Sequence, residues 1–113
     1  MHELSITQTI INAVVDAAQG AAVRRITLEI GELSAILPDS IQFCFEACIP
    51  NTPLAGAELD ILTVPGRGRC RNCGHEMLLE VPYGICDQCD SLAIDIIAGQ
   101  GLLILSMETV PCA

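Results

Sequence analysis

The sequence predicts an α+β protein: a two-layer unit in which two helices cover a three-stranded sheet, interrupted by a small cysteine-bearing insert. Three observations carry this reading. Apolar residues recur at helical spacing in two windows, Ile10 to Ala18 and Ile41 to Ile49. Strand-length windows stand at 25–30, 58–64 and 102–110. Two CxxC pairs fall between the second and third of these strand windows. Three strands with one apolar face each can be covered by two helices, which gives two layers around one core.

The elements follow in order. Ser5-Ile6-Thr7-Gln8 has the form of a capping box with Ser5 as N-cap, a start two residues earlier being the alternative. Ile10, Ile11, Val14, Val15 and Ala18 then form the helical stripe, and Gly20 stops it. Arg25 to Ile30 alternates polar and apolar as a half-buried strand does. Pro38 suits the first turn of a second helix, with Asp39 and Ser40 beside it. Ile41, Cys44, Phe45, Cys48 and Ile49 continue that helix as one apolar face, and Pro50 ends it. Glu58 to Val64 alternates again, and Pro65-Gly66 breaks it. After the insert, Gly99-Gln100-Gly101 turns the chain into a last strand from Leu102 to Val110. The expected partition is residues 1–66 with 99–113 as the α/β domain and 67–98 as the insert, hinged at Gly66 and Gly99–Gly101.

Composition narrows the function. The 113 residues suit one domain, or one domain with an appendage. Hydrophobic residues make up 51% and aromatics 3%, so the core must be built from Ile, Leu, Val and Ala. Fourteen acidic residues against five arginines give a net charge of −9, which repels phosphate backbones. Nucleic acid is therefore not expected as a partner. No apolar run approaches the roughly 20 residues of a membrane span. The first twenty residues carry no Lys or Arg, unlike a secretory signal. A soluble, cytoplasmic protein is expected. Seven cysteines, an odd number, do not suggest a disulfide framework.

Four of those cysteines form CxxC-x12-CxxC: Cys70, Cys73, Cys86 and Cys89. A CxxC pair bends into a turn whose amides face the sulfurs. Two such turns joined by a hairpin place four thiolates at the corners of a tetrahedron, the geometry of structural Zn(II) in a zinc-ribbon-like module. Iron in a similar cage satisfies the same ligands. With four sulfurs bound, no coordination position is open, so such a site is structural rather than catalytic. A segment this short draws its stability from the metal, on the order of 10 kcal/mol. Arg67, Arg69 and Arg71 are expected to offset part of the thiolate charge, and His75 to be an exposed turn residue. Cys44 and Cys48 read as core fillers, and Cys112 as incidental.

The chain starts MHE. The amine of Met1, the amide nitrogen of His2 and its imidazole lie on one short covalent path and close adjacent chelate rings around a single ion. That donor set favours tetragonal Ni(II) or Cu(II). Glu3 adds an amide and a carboxylate. No nucleophile–base constellation or glycine-rich phosphate loop accompanies these residues, so catalysis is not expected.

MHELS, the order of elements, IGELSA at 30–35, DSIQFCFE at 39–46 and the two CxxC pairs together resemble the HypA/HybF family of nickel metallochaperones. The resemblance spans essentially the whole chain. It implies that His2 is the key Ni(II) ligand, helped by Met1 and Glu3, and that Cys70, Cys73, Cys86 and Cys89 hold structural Zn(II). It further implies a HypB-type GTPase partner and delivery of nickel to the large-subunit precursor of [NiFe]-hydrogenase. In some relatives an aspartate at the start of the second helix completes the nickel site, and Asp39 is the nearest candidate here. The hinge glycines would also permit strand exchange in a homodimer. The rival reading is a zinc-ribbon adaptor for nucleic acid or the transcription apparatus, which would need a basic face and exposed aromatics.

Overall fold

The computed structural model describes residues 2–110. The order is α1 (Glu3–Ala18), β1 (Val23–Gly31), a 3-10 turn (Glu32–Ser34), α2 (Pro38–Cys48), β2 (Glu58–Val64), β3 (Gly66–Cys70), β4 (Glu76–Leu79), β5 (Ile94–Ala98) and β6 (Leu102–Thr109). The strands form two three-stranded sheets, ordered β2-β1-β6 and β4-β3-β5. The expected helices and the three expected strands are present. Met1 and Cys112 lie outside the described residues.

Helix α1 begins at Glu3, and the expected capping box does not form. The Ser5 hydroxyl instead donates back to the His2 carbonyl at 3.0 Å, so His2 is the N-cap. Thr7, Ile10, Ile11, Val14 and Ala18 form the buried face. Thr7 is tolerated there because its hydroxyl donates to the Glu3 carbonyl at 2.6 Å. The helix ends where Gln19 turns to φ 50° and Gly20 to φ 88°. Helix α2 has Pro38 in its first turn, where the missing amide costs no bond. Its Ile41 and Phe45 are buried, and α1 packs against α2.

Strand β1 is central. Its Ile26, Leu28 and Ile30 are fully buried, at two-residue spacing on one face. β6 runs antiparallel to it: the Gly31 amide donates to the Gly101 carbonyl at one end, and the Val110 amide to the Ala22 carbonyl at the other, at 2.9 and 2.8 Å. Arg25 of β1 bridges both neighbours, meeting Glu58 at 2.6 Å and Asp60 on β2, and Glu108 on β6 at 3.3 Å.

By packing, the chain divides into two units. One comprises the chain up to Glu29, Ile36–Leu62 and the chain from Leu103; the other comprises Ile30–Ala35 and Thr63–Leu102. The division differs from the sequence partition, since the 30–35 segment and the flanks 63–66 and 99–102 go with the cysteine unit. The reason lies in its glycines. A Cβ on Gly31 would come 2.1 Å from the Gly99 carbonyl oxygen, and one on Gly99 would come 2.5 Å from the Gly66 Cα. Gly66 and Gly99, expected as hinges, are thus points where backbones touch.

Three strands of that unit were not expected. β3 pairs antiparallel with β4, Gly66 opposite Leu79, and with β5, Cys70 opposite Ile94. Gly-Arg-Gly-Arg reads as a loop because glycine is depleted in strands. Here Gly66, Gly68 and Cys70 form the buried face, and neighbouring side chains fill the space. A Cβ on Gly68 would lie 2.6 Å from Ile94 Cγ2.

Candidate metal centre

The first knuckle follows β3. The Cys70 amide donates to the His75 carbonyl and the Gly74 amide to the Cys70 carbonyl, both at 2.9 Å. The second repeats the pattern: the Cys86 amide donates to the Ser91 carbonyl at 2.8 Å and the Asp90 amide to the Cys86 carbonyl at 2.9 Å. Gly74 at φ 80° and Asp90 at φ 63° occupy equivalent left-handed positions. Only the glycine marked that turn in the sequence; an aspartate tolerates the conformation less visibly.

The four sulfurs converge. Cys70 and Cys89 Sγ are 3.5 Å apart and Cys73 and Cys86 Sγ 3.6 Å. All four lie within 4.8 Å of one another. A tetrahedral zinc site with bonds of about 2.3 Å needs sulfurs about 3.8 Å apart, so the donor set fits that ion. Cys70 and Cys86 are buried while Cys73 is exposed, which leaves a route for an ion. The Gln88 amide donates to Cys86 Sγ at 3.4 Å and the Asn72 side chain to Cys89 Sγ at 3.5 Å, both favouring thiolate charge.

In the thiol cluster the amide of Cys73, with that of Asn72 and the Cys89 side chain, draws Cys70 down to about 6. Cys73 is pushed up to about 12: the His75 amide favours its thiolate, but desolvation and the sulfurs of Cys86, Cys89 and Cys70 outweigh it.

The arginines near the cluster, expected to offset part of the thiolate charge, are each paired with a carboxylate. Arg69 and Arg67 pair with Glu76 at 2.9 and 3.9 Å, and Arg71 with Asp95 at 3.2 Å. They tie β3 to its neighbours, a role that sequence spacing did not reveal. His75 is half-buried rather than exposed. Its Nε2 lies 2.7 Å from Asp87 Oδ1, linking the two knuckles.

At the other end of the chain, His2 is exposed at the start of α1, and its carbonyl accepts from the Ile6 amide at 2.9 Å. Glu3 and Asp39 line one open groove of about 410 Å³, with Leu4, Ser40, Phe43 and Cys44. His2 is not part of that lining. Among the described residues, the four sulfurs are the group of three or more potential ligands that comes together. The structure thus brings Glu3 and Asp39 to one surface without assembling a second ligand cluster.

A two-sheet α+β chain with a four-cysteine cage defines a small metal-binding protein. The chain belongs to the HypA family: the family described as "Hydrogenase/urease nickel incorporation, metallochaperone, hypA" matches residues 1–109. The hydrogenase maturation factor HypA of Crocosphaera subtropica is 55% identical over 108 residues, 96% of this chain and 95% of that one. Its counterpart in Geobacter metallireducens is 43% identical over 108 residues, 96% of this chain and 98% of the relative. The solution structure of the Ni metallochaperone HypA from Helicobacter pylori matches with a TM-score of 0.68 at 27% identity, over 97% of this chain and 98% of that one.

Proposed function

We propose that this chain carries Ni(II) at its N-terminus and delivers it during [NiFe]-hydrogenase maturation, while the four cysteines hold Zn(II) permanently. The observation that carries this is the closed sulfur cage. Four convergent sulfurs leave an ion no open position, so that cage suits retention and not handover. A transferable ion needs accessible donors, and His2 offers them at an exposed helix start.

The helix itself favours such a site. The amides of the first turn have no intrahelical acceptor, so the nitrogens of His2 and Glu3 can ligate without breaking the ladder. Met1 contributes its amine, His2 its imidazole and Glu3 its carboxylate. Asp39, on the groove that Glu3 also lines, supplies a further oxygen. A HypB-type GTPase and the hydrogenase large-subunit precursor are the partners that this role requires. None of the six described cysteines is in a disulfide, in keeping with a reducing cytoplasm. No helix among the described residues is long and apolar enough to cross a membrane. The nucleic-acid reading gains nothing, because every arginine is in an ion pair with a carboxylate.

The test is nickel titration of untagged, zinc-loaded protein. His2→Ala, or residues fused before Met1, should abolish nickel binding while zinc content holds. Undiminished nickel affinity in both, or nickel found among the sulfurs, would refute the assignment.

A further inference from the structure

We propose that an apolar groove on the cysteine unit docks a segment of another polypeptide in which apolar side chains are interleaved with Lys or Arg. Val81, Tyr83, Gly84, Ile85 and Leu92 line this groove, which is open and about 590 Å³ in volume. Tyr83, Ile85 and Leu92 are 71%, 59% and 76% exposed. Single exposed apolar residues are ordinary, but large ones gathered in one groove form a patch, and patches with a polar rim mark interaction sites.

The local fold builds the walls. The loop after β4 carries Val81, Tyr83 and Ile85, and the second knuckle follows it. The Cys86 amide donates to the Ser91 carbonyl at 2.8 Å, which brings together the chain on either side, at Ile85 and Leu92. Gly84 lies close to β4: a Cβ there would come 3.1 Å from Leu79 Cδ2. Leu79 and Cys86 are buried, whereas the groove residues beside them in the chain are left in water. The groove therefore stands on the same turn that places two of the four sulfurs.

The carboxylates beside the groove decide what it takes. Glu80 is the chain neighbour of Val81, and the Asp90 amide donates to the carbonyl of Cys86, the neighbour of Ile85, at 2.9 Å. Both carboxylates are exposed, and neither meets a cation among the described residues. The arginines of this unit are taken by Glu76 and Asp95, and His75 faces Asp87. Four thiolates around a divalent ion add further negative charge to the same knuckles. A partner that seats apolar side chains in the groove and brings cations to its rim satisfies both features. Nucleic acid would bring phosphate to two free carboxylates. A second copy of this chain brings no free cation, since it has five arginines and no lysine, and each arginine is already on a carboxylate. The inference concerns the cysteine unit alone and stands wherever nickel binds.

The experiment is amide chemical-shift mapping and calorimetric titration of zinc-loaded protein with three short synthetic peptides: Leu interleaved with Lys, Leu with Glu, and Ser with Lys. The Leu–Lys peptide should shift the amides of 80–92, and the other two should not. Tyr83→Ser with Leu92→Ser, or Glu80→Lys with Asp90→Lys, should each weaken its binding about tenfold. Asp16→Lys, the same charge change at an exposed position on α1, should alter binding by no more than about twofold. A Leu–Lys peptide that binds all these variants alike is held by net charge and not by the groove, which overturns the proposal. So does equal binding by either other peptide, a shift map confined to other residues, or no binding up to about 1 mM. Shifts of 80–92 that grow with protein concentration alone assign the groove to a second copy, and shifts caused by phosphatidylcholine vesicles assign it to a lipid surface; either result refutes the peptide. Should a double variant fold poorly, the shift map of the native chain decides.

Discussion

Gly31 and Gly68 face different neighbours, and their substitutions should differ accordingly. At Gly31 a Cβ would meet backbone, 2.1 Å from the Gly99 oxygen, which cannot move aside without the strand. At Gly68 it would meet the ends of Ile94 and Leu79 side chains at 2.6 and 2.8 Å, which can rotate. Gly68→Ala should lower stability by about 1–3 kcal/mol, the usual effect of overpacking, and Gly31→Ala by more. Denaturant unfolding of the two variants would rank them. Glu76 carries the pH dependence of the β3–β4 hairpin. The Arg69 hydrogen bond and charge, then Arg67, hold its carboxyl below the usual 4.5. A depressed acid stabilises the fold above that value and loses its contribution as pH falls through the folded pKa. Glu76→Gln should therefore flatten the acid limb of a stability–pH profile below about pH 4.5 and leave zinc content at neutral pH unchanged. An acid limb identical to that of the native chain would place the dependence on other carboxylates.

At the scale of elements, α2 shows which part of an amphipathic stripe bears energy. Ile41 and Phe45 are buried to within 1%, whereas Cys44 and Cys48 on the same stripe are only half-buried. Phe45→Ala should cost about 3–5 kcal/mol, a large share of the 5–15 kcal/mol that domains typically have. Cys44→Ala and Cys48→Ala should each cost much less. Chemical denaturation reads both, and equal losses would mean that the thiols are core after all. The helices, β1 and β2 were legible because their apolar residues repeat at 3.6 or 2, and β6 because its apolar run is of strand length. β3 was not legible, since its inward positions are glycines whose hydrophobic cover comes from Leu33, Leu79 and Ile94 elsewhere in the chain.

For the whole molecule, the two units have different sources of stability. The helical unit buries Ile26, Leu28, Ile41 and Phe45, an apolar core of its own. The cysteine unit buries Ile30, Cys70, Cys86 and Leu79 besides its glycine contacts, a smaller core, to which an ion held by the four sulfurs would add stability. Chelating an ion held by the four sulfurs should therefore unfold 66–98, seen as lost amide protection there, while the helical circular dichroism of α1 and α2 persists. Simultaneous loss of both signals would show one cooperative unit instead.

The sequence by itself determined the periodic elements, the four-sulfur cage and the donor-rich MHE start, because each is written in neighbouring residues or fixed spacings. It took the folded chain to show that Gly31, Gly66 and Gly99 meet and that Arg25 binds three acids across two strands. Folding also brought Glu3 and Asp39 onto one groove. Those facts depend on which distant segments become neighbours, and contact between residues tens of positions apart leaves no period in the chain.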